Sequence, residues 1–180
     1  MANICSFSMR VRGDVKGITN FYNAMCQNGN IYMGRGADAQ INIDEEDGSA
    51  FIEGWCKWSI QSALIDNAIS MRENPSKWFF GNDFDASKIE FITLDEACEK
   101  WNLDMEVYSE EPGCCFQEHY MFIDGYMVLD ECVDYYEYYI EEFETKEEAE
   151  RELDITLTDE EWNEHGFVSR GGFGDWEFGI

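Results

Sequence analysis

Two histidines, seven cysteines and 39 carboxylates are the residues of this 180-residue chain that can do chemistry. His119 follows Cys115 by four positions, and a thiol nucleophile needs an imidazole close enough to take its proton. On a strand, residues four apart share a face but stand about 13 Å from one another at ~3.3 Å per residue, too far for proton transfer. Cys114 and Cys115 therefore read as small apolar residues of the core. Asp44-Glu45-Glu46-Asp47-Gly48 offers carboxylates to a cation without the alternating spacing of a calcium loop, so it reads as a solvated acidic turn. Adjacent acids such as Glu110-Glu111 are expected by chance in so acidic a chain. There is no G-x-x-x-x-G-K-[ST], no G-x-S-x-G and no H-E-x-x-H. One Arg170-Gly171-Gly172-Phe173 segment beside Asp175 and Glu177 is not the electrostatic footprint of a nucleic-acid binder. The expectation is a chain that is not an enzyme, with no catalytic residue, metal or cofactor. A small Cys- or Glu-dependent enzyme is the weaker alternative.

What remains is the charge itself. Twelve Lys and Arg against 39 Asp and Glu give −27. Residues 1–72 carry six bases and eight acids, whereas residues 73–180 carry six bases and 31 acids. The densest part, residues 130–164, has 16 acids and two bases, Lys146 and Arg151. Such a charge repels phosphates, which argues against direct contact with nucleic acid or anionic lipid and attracts cationic partners. Duplex DNA carries one charge per ~1.7 Å of axis. Carboxylates on a rigid strand and helix approach that density and can occupy a groove made for phosphates. Asp130, Glu131, Asp134, Glu137, Glu141, Glu142, Glu144, Glu147 and Glu148 are the expected partner-binding acids. Tyr135 and Tyr138 are the expected aromatic anchors, since interfaces favour aromatics.

A chain that is 44% apolar and 16% aromatic can bury a core to hold these residues. Ile4 to Val11 alternates as a strand, and residues 15–27 have the helical period. Residues 30–34 and 37–44 are short strands, and 37–44 forms a hairpin with 49–58. A helix is expected over 60–71, a loop over 72–88 and a short extended segment at 88–91. Thr93…Glu96 is a capping box opening a helix that runs to about Trp101. Residues 104–109 form a strand. Asp124-Gly125 between apolar runs is a type I′ hairpin cue, pairing 114–123 with 126–135. Beyond it Leu129, Val133, Tyr136, Ile140 and Phe143 also fit a helix, but aromatic and β-branched content favours a strand. Thr145…Glu148 and Thr158…Glu161 predict helices at 146–153 and 159–165. Residues 169–180 read as an irregular or docked tail.

Asn3-Ile4-Cys5, Gly54-Trp55-Cys56-Lys57-Trp58 and the segment Tyr108-Ser109-Glu110-Glu111-Pro112-Gly113-Cys114-Cys115-Phe116 resemble the YubB-type ferredoxin-like domain of phages and plasmids. Ile4 stands where that family usually has Trp, and the stretch 91–96 departs from its usual loop. The resemblance spans roughly residues 1–130 and supplies no catalytic residue. It implies an α+β fold, a ferredoxin-like antiparallel sheet with helices on one face, to which an acidic strand and helix extension is added. The expected division is 1–143 for this domain and 144–180 for an acidic helical extension and Gly-rich tail packed on it.

Together these readings predict a mobile-element inhibitor of a host nucleic-acid-targeting defence, in first place an anti-CRISPR protein. Its partner is expected to be a basic nucleic-acid-binding protein such as a CRISPR effector or a restriction enzyme. No run reaches the ~18 apolar residues of a membrane span, and the odd cysteine count without a C-x-x-C suits reduced thiols, so host cytoplasm is the expected location. The alternative is a regulatory or structural module that self-associates, for instance as a homodimer, with acidity serving solubility.

Overall fold

The computed structural model describes residues 3–74, 85–164, 166–174 and 176–177. Much of the expected 72–88 loop and His165 lie outside these residues. The fold is α+β, built on a large antiparallel sheet. Strand β1 (Ile4–Arg12) buries Cys5, Phe7, Met9 and Val11 on one face, as alternation requires. Asp14 then caps α1 (Val15–Met25), accepting from Lys16 N and Gly17 N. The short β2 (Ile31–Met33) precedes the hairpin of β3 (Asp38–Asp44) and β4 (Ser49–Lys57).

The expected helix over 60–71 forms with a different winding. Gln61–Asp66 is a π-helix, which passes into α2 (Asn67–Glu73). Its apolar spacing fits an α-helix, and its first N–H groups donate to a buried carboxylate on another strand, described below. The short β5 (Glu90–Ile92) pairs in parallel with β2. Thr93 and Glu96 form the reciprocal capping box that opens α3 (Leu94–Trp101). β6 (Asp104–Glu111), β7 (Phe116–Ile123) and β8 (Tyr126–Tyr139) follow, with Asp124 (φ 52°) and Gly125 (φ 81°) making the expected turn. β8 is a strand throughout its 14 residues. α4 (Lys146–Leu153) and α5 (Asp159–Glu164) stand where their capping residues placed them. The segment 169–180 is not wholly irregular. Phe167–Gly171 is a strand, β9, paired antiparallel with Tyr135–Tyr139.

The sheet order is β3-β4-β1-β6-β7-β8-β9. Inward residues of β1, β4, β6 and β7 pack with α1, the π-helical stretch and α3 into the main core. A second, smaller core joins Ile140, Ala149, Leu157 and Val168, with Phe143 and Trp162 against it. It draws the end of β8, α4, the α5 region and β9 into one unit.

Gly54 shows how tightly the hairpin edge is built. A Cβ there would lie 2.3 Å from the Asp38 carbonyl oxygen and 2.7 Å from Ala39 Cα, both backbone atoms. Gly54→Ala is therefore expected to lower unfolding stability by about 3 kcal/mol, the upper range for overpacking. A urea titration checks this, and a loss below about 1 kcal/mol would show that β3 can shift.

Candidate functional site

The acidic region is carried by a strand that outgrows its sheet. β8 pairs with β7 only through Tyr126–Asp134, and its second half pairs with β9 instead. Register fixes which way each side chain leaves it. Asp130 pairs with Tyr120 and Asp134 with Phe116, on the side facing the helices, whereas Glu131 pairs with His119 on the other side. By alternation Tyr136 and Tyr138 continue the first side, and Tyr135, Glu137 and Tyr139 the second. The predicted residues therefore line both sides of β8.

Of the 16 acids between 130 and 164, thirteen are exposed. The three that are not, Glu148, Glu150 and Glu161, all accept from backbone N–H groups. Glu148 accepts from Glu144 N (3.3 Å) and Glu150 from Leu157 N (2.9 Å). Glu161 accepts from Thr158 N (2.8 Å) and meets Arg170 at 2.7 Å. These three hold the unit together, which removes Glu148 from the set of free partner-binding acids. Asp130, Glu131, Asp134, Glu137, Glu141, Glu142, Glu144 and Glu147 remain on the surface. The local cations are already engaged: Lys146 with Asp159, Arg151 with Glu152 and Arg170 with Glu161.

The tyrosines divide. Tyr135 is buried at 8% exposure, and its hydroxyl donates to Glu137 (2.9 Å) and meets Ser169 Oγ (3.1 Å). It organises the strand pair and offers little surface. Tyr136 and Tyr138 stack at 6.4 Å, with Tyr136 exposed and Tyr138 half-buried. The Tyr139 hydroxyl donates to Glu141, which raises its pKa.

Arg170, and after it the Thr158 N–H, hold the Glu161 carboxyl down at about 2, against an ordinary value of 4.5. A depressed folded pKa means stability that is complete above about 4.5 and is lost as pH falls through about 2. Glu161→Gln should cost about 1 kcal/mol at neutral pH, as a partly exposed Arg–carboxylate pair allows. Urea titrations across that acid window should show wild type and variant converging. A constant gap down to the bottom of the window would mean that the charge is not the stabilising term.

A second constellation was not foreseen. Glu106 and His119 are both buried, at 0% and 3%, and the imidazole Nε2 meets the Glu106 carboxylate at 2.9 Å. Tyr108 stacks on the imidazole at 4.2 Å. The tail closes over them, with Phe173 5.1 Å from the His119 ring, Trp176 4.6 Å from Tyr108 and Glu177 N donating to Glu106 (3.0 Å). Gln117 Oε1 accepts from Phe173 N (2.9 Å) and so anchors the tail. The hairpin register, which sets Tyr108 opposite His119, was the available signal. The Asp44 turn is a backbone device, since Asp44 Oδ1 accepts from Glu46 N (2.9 Å) and Asp47 N (3.3 Å). Neither Cys114 nor Cys115 is the core residue expected, because the turn before β7 carries them to the surface: Cys114 is exposed, and Cys115 is half-buried at φ 60°, its thiol donating to the Pro112 carbonyl (3.5 Å).

No family model matches the chain, and no curated protein or solved structure matches it. No helix among the described residues is long and apolar enough to cross a membrane.

Proposed function

We propose that the chain is a mobile-element inhibitor of a host nucleic-acid-targeting defence. It would act by seating the β8–α4–α5 unit in a basic channel that otherwise holds nucleic acid. The observation that carries this reading is the thirteen exposed carboxylates of residues 130–164, ten of them on one small, separately cored unit whose few cations are already paired. Acids on both sides of a projecting strand suit a channel, which surrounds its contents, better than a flat patch. CRISPR effectors hold a guide–target duplex in such a positively charged channel, so an effector of that kind is the preferred partner over a restriction enzyme. The compartment that follows is the host cytoplasm.

The platform, in this reading, is a ferredoxin-like domain of the YubB type. The order β3-β4-β1-β6, reached through a β-α-β-β-α-β succession with β2, β5 and α2 as additions, supports it. The acidic unit is then an extension built onto the far edge through β7 and β8.

The test is competition. A nucleic-acid-free CRISPR effector should bind the purified chain, a guide–target duplex should displace it, and affinity should fall steeply between low and high salt. Binding that is indifferent to both duplex and salt would overturn the reading.

A further inference from the structure

At the opposite edge of the sheet from the acidic unit, β3 begins at Asp38, opposite Trp55, so Cys56 and Lys57 of β4 run on past it. The chain before β3 leaves the sheet there. Gly34 and Gly36 take φ of +49° and +71°, and Arg35 N and Ala37 N donate to the Ala63 and Met25 carbonyls (3.0 and 2.9 Å). A notch of about 450 Å³ results, lined by Ile4, Gln27, Arg35, Asp38, Trp55 and Lys57 among others. That lies within the range of small-molecule sites.

Its chemistry departs from the rest of the molecule. Two cations line it against one carboxylate, in a chain of net charge −27. The Arg35 guanidinium carbon lies 4.5 Å from the Trp58 ring centroid, a cation–π contact. Lys57 makes no ion pair among the described residues. Trp55 keeps 54% of its surface exposed although it is a large indole. The backbone beside it is strained: Trp58, a bulky residue, sits at φ 70° with its N–H donating to the Asn3 carbonyl (3.0 Å), and the π-helix begins three residues later. Left-handed bulky residues and π-helical turns are held by the structure around them and are frequent at binding sites.

We propose that this notch binds a small phosphorylated ligand carrying a flat ring, of the mononucleotide class, with Arg35 and Lys57 on the phosphate and the ring stacked on Trp55. Guanidinium and ammonium are the side chains that take phosphate, and an exposed indole is the surface on which a base stacks. A free mononucleotide is favoured over a nucleic-acid strand because further phosphates would meet the acidic field of the chain.

The test uses the full chain with adenosine monophosphate as the probe, and with adenosine and inorganic phosphate as its two halves. Calorimetry, together with the indole N–H resonance of Trp55, should show saturable binding with Kd below about 1 mM, and at least about tenfold weaker binding of either half. A 5′-phosphorylated oligonucleotide should bind more weakly than the mononucleotide. Lys57→Gln and Trp55→Ala, both at exposed positions, should each weaken binding by about tenfold while leaving the far-ultraviolet circular dichroism unchanged. No saturable binding of the monophosphate, binding unaffected by both substitutions, or tighter binding of the oligonucleotide would each overturn the proposal.

Discussion

Glu118→Ala is expected to cost about 4 kcal/mol of unfolding stability, in the range for stripping a buried, fully bonded charge from its partners. Glu118 is 3% exposed and satisfies four donors. One carboxylate oxygen accepts from Ile60 N (2.7 Å) and Ser109 Oγ (2.6 Å), and the other from Gln61 N (3.1 Å) and the Tyr120 hydroxyl (3.0 Å). Burial pushes the Tyr120 phenol far above its usual range, with the Glu118 charge adding to it, so that hydroxyl stays a donor. No cation among the described residues pairs with Glu118, so N–H and O–H dipoles alone balance the charge. The two backbone donors belong to the entry of the π-helix, so this one side chain ties β7 to the helical layer. Glu118→Gln should rescue little. An amide presents its NH₂ at one end, and each end of this site already faces two donors. Urea titrations should place both variants far below wild type, and a Gln variant within about 1 kcal/mol of wild type would show that the charge is dispensable.

Glu118 also marks where the sequence stopped being legible. Local signals carried well: alternation placed β1, Asp124-Gly125 placed the β7–β8 turn, and Thr93, Thr145 and Thr158 placed three helix starts. Each of these is decided by atoms within four residues. The buried acids Glu106, Glu111 and Glu118 were invisible because a carboxylate among 39 reads as surface until the strand register aims it inward. The π-helix is not legible in its apolar spacing, which fits an α-helix as well, and the carboxylate that meets its first N–H groups lies 57 residues away. β9 was missed because Gly171 and Gly172 punctuate the segment, whereas the protruding half of β8 supplies a partner that overrides them. Tyr135 reads as a surface anchor from the sequence, because composition cannot tell which of two neighbouring tyrosines on a strand faces Ser169. The acidic set itself was legible as a stretch, but its distribution over two sides of β8 needed the register.

That register changes which charge reversals are informative, and the second large effect follows from it. Glu148→Lys would disturb the start of α4, because the Glu148 carboxylate accepts from Glu144 N (3.3 Å) and a lysine cannot. Glu137 and Glu141 accept from tyrosine hydroxyls, so their loss mixes packing with charge. Asp134, Glu142 and Glu147 are exposed and make no side-chain hydrogen bond or ion pair among the described residues, so reversing them changes the field and leaves the unit folded. The triple variant Asp134→Lys, Glu142→Lys, Glu147→Lys is expected to weaken binding to a nucleic-acid-free CRISPR effector by about 100-fold or more at low salt, mostly through the association rate. The difference should shrink as salt rises and the Debye length falls to about 3 Å near 1 M. Unchanged thermal unfolding of the variant would assign the loss to charge. If the triple variant binds as wild type does, the contact is apolar, and Tyr136→Ala with Tyr138→Ala is the pair that should then abolish it. The two outcomes differ in kind, because a channel that reads carboxylates as phosphates has to lose affinity when the sign is reversed.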